Sequence, residues 1–127
     1  MIVLDTSVLI DCLTGPKRSA PLLRKVIEDG ERLLLPSLVL YEWLRGPRLK
    51  AELDAQEALF PSQSAVPFGL AEATRAAALY RKLQRPRGRE IDLAIAATAI
   101  CRECSLWTLN AVDFQDIPGL HLFTPAQ

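Results

Sequence analysis

Four acidic residues are the residues of this chain that are best placed to do chemistry. Asp5 directly follows a run of three apolar residues, and Asp113 lies shortly after another apolar run. Glu42 and Asp92 lie in the early parts of segments that have the pattern of helices. Two carboxylates ~5 Å apart would repel each other by roughly 3 kcal/mol at an effective dielectric constant near 20. A cluster of such groups therefore takes up protons or recruits a cation.

The donor types in this acidic set indicate a hard divalent cation. Carboxylate oxygens without histidine or cysteine nearby favour Mg²⁺ or Mn²⁺ over zinc. Such a cation clamps a phosphodiester, lowers the pKa of a bound water and stabilises the leaving oxygen. The joint pattern predicts metal-dependent phosphodiester hydrolysis. Three of the acids also have a plainer explanation on their own, since Glu42 and Asp92 suit a helix dipole and Asp113 with Asn110 suits an Asx turn.

Strand and helix patterns alternate along the chain, which is what could bring the four acids together. Strand-like apolar runs occur at 2–4, 32–35 and 106–108, with shorter candidates at 65–66 and 121–123. Helical patterns occur at 8–13, 19–30, 37–45, 49–60, 69–84 and 90–103. This alternation predicts an α/β fold with a central, mainly parallel sheet covered by helices on both faces. Open sheets of this kind place their sites at the carboxyl ends of the strands.

Length and composition narrow the class of protein. A chain of 127 residues predicts a single domain, 1–127, with 50% hydrophobic and 24% charged residues. The formal net charge is zero, so any affinity for nucleic acid must come from a local patch. No basic segment precedes the first strand, and the longest apolar stretch, 33–44, is too short to span a bilayer. We therefore expect a cytoplasmic protein that does not enter a membrane.

Four sequence blocks, in this order, resemble the PIN-domain family and, within it, the small VapC-type toxins of bacterial and archaeal toxin–antitoxin pairs. The blocks are Leu-Asp-Thr-Ser-Val-Leu-Ile-Asp at 4–11, Leu-Tyr-Glu-Trp-Leu at 40–44, Asp-Leu-Ala-Ile-Ala-Ala-Thr-Ala at 92–99 and Thr-Leu-Asn-Ala-Val-Asp-Phe at 108–114. Any one block alone would be a weak signal. Together they cover nearly the whole chain with separations similar to those of the family.

This resemblance implies a three-layer α/β/α PIN-like fold and an Mg²⁺- or Mn²⁺-dependent endoribonuclease that hydrolyses RNA. It also implies a homodimer and a cognate antitoxin that blocks the site. The acidic set would be both catalytic and metal-binding, supported by polar residues; these positions are Asp5, Glu42, Asp92 and Asp113, with Ser7 and Asn110, and further candidates Thr6 and Thr108. Leu109 stands where the family often has arginine, and Glu103 where a glycine is usual.

The most basic stretch of the chain, 81–89, has five basic residues among nine. Its arginines at 85, 87 and 89 could follow an RNA backbone toward Asp92, with an affinity that weakens as salt rises. A solvated helix end explains the same charges, because cations also suit a helix C-terminus. The sequence leaves both interpretations of Arg85, Arg87 and Arg89 open.

Other residues have structural interpretations. Cys101 and Cys104 have zinc-like spacing, but only Cys12 and His121 remain to complete four ligands, so buried reduced thiols are predicted. Both tryptophans, at 43 and 107, are predicted in the core or an interface. Surplus apolar residues around 41–44 and 49–60 predict the dimer interface.

Two other enzyme classes fit less well. Haloacid-dehalogenase-like phosphatases resemble Asp-x-Asp near the N-terminus, whereas this chain has Ser7 at the second position. A phospho-receiver domain would require adjacent acids early in the chain and a well-placed late lysine, and this sequence has neither in the required place. A PIN-like nuclease acting on DNA, and a non-catalytic nucleic-acid-binding module with the same fold, remain the alternatives.

Overall fold

A computed structural model describes residues 1–126, which form short strands packed among helices. The strands are β1 Ile2–Leu4, β2 Leu33–Leu34 and β3 Ser105–Trp107. The helices are α1 Thr6–Leu13, α2 Ala20–Glu28, α3 Ser37–Arg45, α4 Lys50–Leu59, α5 Leu70–Lys82 and α6 Glu90–Cys101. Short 3₁₀ turns occur at Ser62–Ser64 and Ala111–Asp113. Among the helices of this described range, none is long and apolar enough to cross a bilayer.

The sheet is parallel, with strand order β2-β1-β3. Its central strand is β1, where Ile2 pairs with Leu33 on one side and Leu4 pairs with Trp107 on the other. All three β1 residues are at most 2% exposed. Because successive strand side chains point to opposite faces, both faces of β1 must be covered. The three-layer α/β/α architecture with a parallel sheet is thus confirmed.

Helix α6 is the central buried helix of the fold. Its residues 93–99 are all buried, and this stretch includes alanines at 94, 96, 97 and 99. A helix that is apolar all round must be surrounded by protein. It contacts α3, α5, β1 and β3, and its small side chains allow these neighbours to approach closely. This packing fixes the position of Asp92, in the first turn of the helix.

Two element boundaries near the acidic residues differ from the predicted ones. Helix α1 begins at Thr6, earlier than the predicted Val8, because Asp5 itself occupies the N-cap position with an extended backbone. The Asp5 carbonyl accepts hydrogen bonds from the amides of Val8 and Leu9. Strand β3 covers Ser105–Trp107 and so lies one residue earlier than predicted.

Two predicted strands and one predicted thiol need correction. The candidates at 65–66 and 121–123 are reduced to single parallel bridges, Pro36 with Val66 and Leu106 with Leu122. Cys104 is a buried free thiol as predicted, and Cys12 is also buried, but Cys101 is exposed. It is the last residue of α6 and lies beyond the stretch that faces the core. Both tryptophans are buried, which confirms their predicted place in the core.

Candidate active site

Asp5 lies at the carboxyl end of the central strand and is held there by two hydroxyl groups. The residue is 4% exposed. Its Oδ2 accepts a 2.8 Å hydrogen bond from Ser7 Oγ and a 2.7 Å bond from Thr108 Oγ1. A buried carboxylate is tolerated only when such partners satisfy it. Ser7 and Thr108 therefore satisfy the buried Asp5 carboxylate and fix its orientation.

The same two hydroxyl groups fasten the chain segment that follows β3. The Leu109 amide donates a 3.0 Å hydrogen bond to Ser7 Oγ, and the Asn110 amide donates a 3.0 Å bond to Thr108 Oγ1. Each hydroxyl thus donates to Asp5 and accepts from this backbone. The turn that carries Asn110 and Asp113 is consequently held beside the start of α1.

Glu42 is drawn to the same edge of the sheet from α3. Thr6, in the first turn of α1, donates a 2.6 Å hydrogen bond from Oγ1 to Glu42 Oε1. Arg45 lies 3.4 Å from the other carboxylate oxygen. The Glu42 side chain is 19% exposed. Thr6 therefore links the helix that follows Asp5 to the helix that carries Glu42.

The charges of the other three acids act on Asp92. Burial raises the pKa of its carboxyl to about 6, and the negative charges of Asp5, Glu42 and Asp113 contribute to the shift in the same direction. Arg89 opposes this shift. These four acids, which come from separate segments of the chain, thus form one electrostatic cluster.

Asp113 ends the 3₁₀ turn Ala111–Asp113 and is exposed. Its amide donates a 2.9 Å hydrogen bond to the Asn110 carbonyl, which closes the turn. The buried side chains of Phe114 and Ile117 follow directly and anchor this segment to the core. Asn110 is also exposed, on the same turn.

The three candidate RNA-binding arginines have different environments. Arg85 and Arg87 are exposed in the connection between α5 and α6. The Arg89 guanidinium instead forms a bidentate ion pair with Asp116, at 2.6 and 2.9 Å, and donates to the Asp113 carbonyl. Sequence reasoning missed Asp116, because nothing local connects it with a residue 27 positions earlier.

The donor set fits a hydrated cation better than a closed protein cage. Within residues 1–126, no three acidic, histidine or cysteine side chains are grouped closely enough to hold a metal ion by themselves. Mg²⁺ does not need such a cage, because it keeps several waters and commonly takes only one or two carboxylates directly. The mutual repulsion that acts on Asp92 is what a cation would relieve. The residues present therefore fit Mg²⁺ or Mn²⁺.

Comparisons with known proteins agree with this fold. A family model described as PIN domain matches residues 2–120. Ribonuclease VapC19 of Mycobacterium tuberculosis strain H37Rv is 36% identical over 126 residues, which cover 94% of this chain and 97% of that protein.

Solved structures show the same architecture. DNA-bound VapBC from Salmonella typhimurium has a TM-score of 0.80 at 22% identity, covering 96% of each chain. VapBC2 from Rickettsia felis, bound to a promoter DNA fragment, has a TM-score of 0.76 at 22% identity, covering 99% of this chain and 100% of that chain. At such identities the likeness bears on the fold alone.

Proposed function

Because this chain belongs to the PIN-domain family, we propose that it is a metal-dependent endoribonuclease and the toxin of a toxin–antitoxin pair. The observation that carries this proposal is the electrostatic cluster in which Asp5, Glu42 and Asp113 all act on Asp92. The name of the 36% identical relative, a ribonuclease, supports RNA as the substrate. The titles of the structural neighbours support an antitoxin as the partner. We also propose that residues 1–127 form one domain and that the protein is cytoplasmic.

In this proposal Asp5, Glu42, Asp92 and Asp113 hold Mg²⁺ or Mn²⁺. When bound, the cation supplies charge for the phosphodiester and lowers the pKa of a water. The protein's own contribution is to orient the carboxylates by hydrogen bonds. Ser7 and Thr108 do this for Asp5, and Thr6 does it for Glu42. Asn110 is exposed, and its side-chain amide is available to hydrogen-bond a phosphate oxygen.

A cleavage assay tests the proposed function. Labelled RNA and labelled DNA are incubated in parallel with wild-type protein and with Asp5→Asn, in Mg²⁺, Mn²⁺ or EDTA. We expect cation-dependent cleavage of RNA by the wild type only. Cleavage of DNA in place of RNA would favour the alternative nuclease, and binding of nucleic acid without any cleavage would favour a non-catalytic module.

Thr108 provides a test of the hydroxyl network. Thr108→Val keeps the shape of the side chain but removes the 2.7 Å hydrogen bond to Asp5. Loss of a partner that orients a metal ligand typically costs about 10–100-fold in metal affinity or activity, so we expect cleavage to fall at least tenfold. Thr108→Ser, which retains the hydroxyl, is the matched control and should remain close to wild type. Equal activity of the two variants would mean that the bond does not orient Asp5.

We propose that Arg85 and Arg87 contact the RNA backbone. A cavity of about 390 Å³ adjoins the acidic cluster, and its lining includes Arg85 and Asp113. In the double variant Arg85→Glu, Arg87→Glu we expect weaker RNA binding and a smaller salt dependence. The slope of log K against log salt should lose about 0.7 for each contact removed from single-stranded RNA. Fluorescence anisotropy at several salt concentrations measures both, and an unchanged slope would show that these arginines do not bind RNA.

We further propose that the chain forms a homodimer through apolar side chains of α3 and α4 and the connection between them. Tyr41 is 53% exposed, Leu44 51% and Leu49 69%, whereas Trp43 and Phe60, from the same predicted region, are buried in the core. Light scattering should report a dimer for the wild type and a monomer for Leu44→Asp. Leu70→Asp, at an 86% exposed apolar residue of α5, is the control and should stay dimeric. A wild-type monomer at micromolar concentration would refute the dimer.

A further inference from the structure

Arg89 links the two segments that carry Asp92 and Asp113. Its backbone lies immediately before α6, where its carbonyl accepts a 2.8 Å hydrogen bond from the Leu93 amide. Its side chain reaches across to the segment after β3. One terminal nitrogen donates to Asp116 Oδ2 at 2.9 Å, and the other donates to Asp116 Oδ1 at 2.6 Å. This fork-to-fork arrangement is the strongest geometry that an arginine and a carboxylate can adopt.

The same guanidinium also holds the backbone of Asp113. Arg89 Nη2 donates a 2.8 Å hydrogen bond to the Asp113 carbonyl, and Nη1 donates a 3.2 Å bond to the Arg85 carbonyl. The Arg89 side chain is 20% exposed, although Asp116 is 53% exposed. An arginine committed to four hydrogen bonds within the protein has little capacity left to bind RNA.

We propose that Arg89 and Asp116 form a clamp that positions Asp113 relative to Asp92, and that Arg89 is therefore a positioning residue and not an RNA-binding residue. This inference rests on the proposed nuclease function. Phe114 and Ile117 anchor the turn to the core from one side, and the clamp fixes the Asp113 backbone from the other. Since the exposed Asp113 carboxylate is the least buried of the four acids, its position depends most on such backbone support.

The test exploits the opposite charges of the two clamp residues. If Arg89 binds RNA, Arg89→Lys should retain much of the affinity and Asp116→Ala should tighten RNA binding, because it removes a negative charge. If the two residues form a positioning clamp, both variants should lower kcat about tenfold, within the range typical of residues that orient metal ligands. In the clamp case the KM for RNA should change little in Asp116→Ala.

Mn²⁺ affinity, measured by calorimetry without RNA, provides a readout that does not depend on activity. We expect a dissociation constant about tenfold weaker in Arg89→Lys and Asp116→Asn, in the range found for partners of metal ligands. Disruption of the exposed Lys50–Asp54 pair by Lys50→Ala is the control and should change neither kcat nor Mn²⁺ affinity. Circular dichroism verifies that each variant is folded, and the conservative changes Arg89→Lys and Asp116→Asn are the decisive ones if Asp116→Ala unfolds.

The outcomes separate the clamp from the proposed function. Wild-type cleavage with normal kcat and normal Mn²⁺ affinity in Arg89→Lys and Asp116→Asn would overturn the clamp and leave the nuclease intact. Failure of the wild type to cleave RNA would overturn the proposed function, and the Mn²⁺ data would then decide the clamp alone. In that case, an unchanged Mn²⁺ affinity in Arg89→Lys and Asp116→Asn would overturn the clamp as well.

Discussion

Replacement of Asp5 by asparagine is expected to reduce RNA cleavage by about 10³-fold or more while the protein remains folded. A cation site contributes several kcal/mol to the stabilisation of a transition state, and each ~1.4 kcal/mol corresponds to about a factor of ten in rate. The asparagine side chain has nearly the same shape as that of Asp5 and could still bond the hydroxyl groups of Ser7 and Thr108, so the loss would report the missing charge. Single-turnover cleavage of labelled RNA in Mg²⁺ or Mn²⁺ measures the effect.

Asp29→Asn is the matched control for Asp5→Asn. Asp29 lies at the end of α2, before β2, and so on the side of the sheet where the strands begin. Its carboxylate forms a surface ion pair with Lys25. Its replacement should leave cleavage unchanged. Equal cleavage by wild type and Asp5→Asn would mean either a contaminating nuclease or a site elsewhere in the protein.

The second large effect concerns pH and arises from Asp92. Because the pKa of Asp92 in the folded protein is raised to about 6 from an ordinary value of 3.8, the folded state binds this proton more tightly than the unfolded state does. Without metal, the contribution of Asp92 to stability is therefore fully present below pH 3.8. It is lost as the pH rises toward 6 and does not change further above that value. Thermal unfolding in EDTA between pH 4 and 8 measures this loss.

A divalent cation should reverse this loss of stability, because it competes with the proton for the Asp92 carboxylate. We expect Mn²⁺ affinity to fall by about tenfold per pH unit below pH 6 for a single competing proton. At pH 7, Mn²⁺ should raise the melting temperature of the wild type more than that of Asp92→Asn. In EDTA at pH 7, Asp92→Asn should be more stable than the wild type by about 1–2 kcal/mol, a value reduced to allow for the solvent exposure of the site.

Glu90, in the same turn of α6, is a control because its pKa is shifted in the opposite direction to that of Asp92. A backbone hydrogen bond lowers its pKa, with a second contribution from the Gly88 amide. Its stabilising contribution is therefore present at neutral pH and lost as the pH falls through the lowered value. Glu90→Gln should thus slightly destabilise the protein at pH 7, where Asp92→Asn stabilises it. A stability profile of Asp92→Asn that coincides with the wild type would contradict the raised pKa.

The central features of the fold were predictable because they depend on local patterns. An unbroken apolar strand that ends at Asp5, and a helix that is apolar all round after Asp92, specify a buried parallel sheet and a buried helix. The expectation of a site at the strand ends follows from that architecture. The burial of Trp43 and Trp107 follows from the same patterns.

The contacts that orient the site were not predictable, because they join residues that are distant in the sequence. Thr108 and Asp5 are 103 positions apart, and Thr6 and Glu42 are 36 apart. A hydroxyl residue in the first turn of a helix gives no local sign of its long-range partner. For the same reason the sequence left open whether Arg89 contacts nucleic acid, and it gave no sign of Asp116, which the fold places against it.

Titration with Mn²⁺ at pH 7, followed by calorimetry and electron paramagnetic resonance, tests most directly whether these carboxylates share a divalent cation. The expected result is saturable binding by the wild type that weakens at least tenfold in both Asp5→Asn and Asp92→Asn and stays unchanged in Asp29→Asn. Saturable binding that is equally strong in the wild type, Asp5→Asn and Asp92→Asn, or no binding by the wild type at millimolar Mn²⁺, would contradict it.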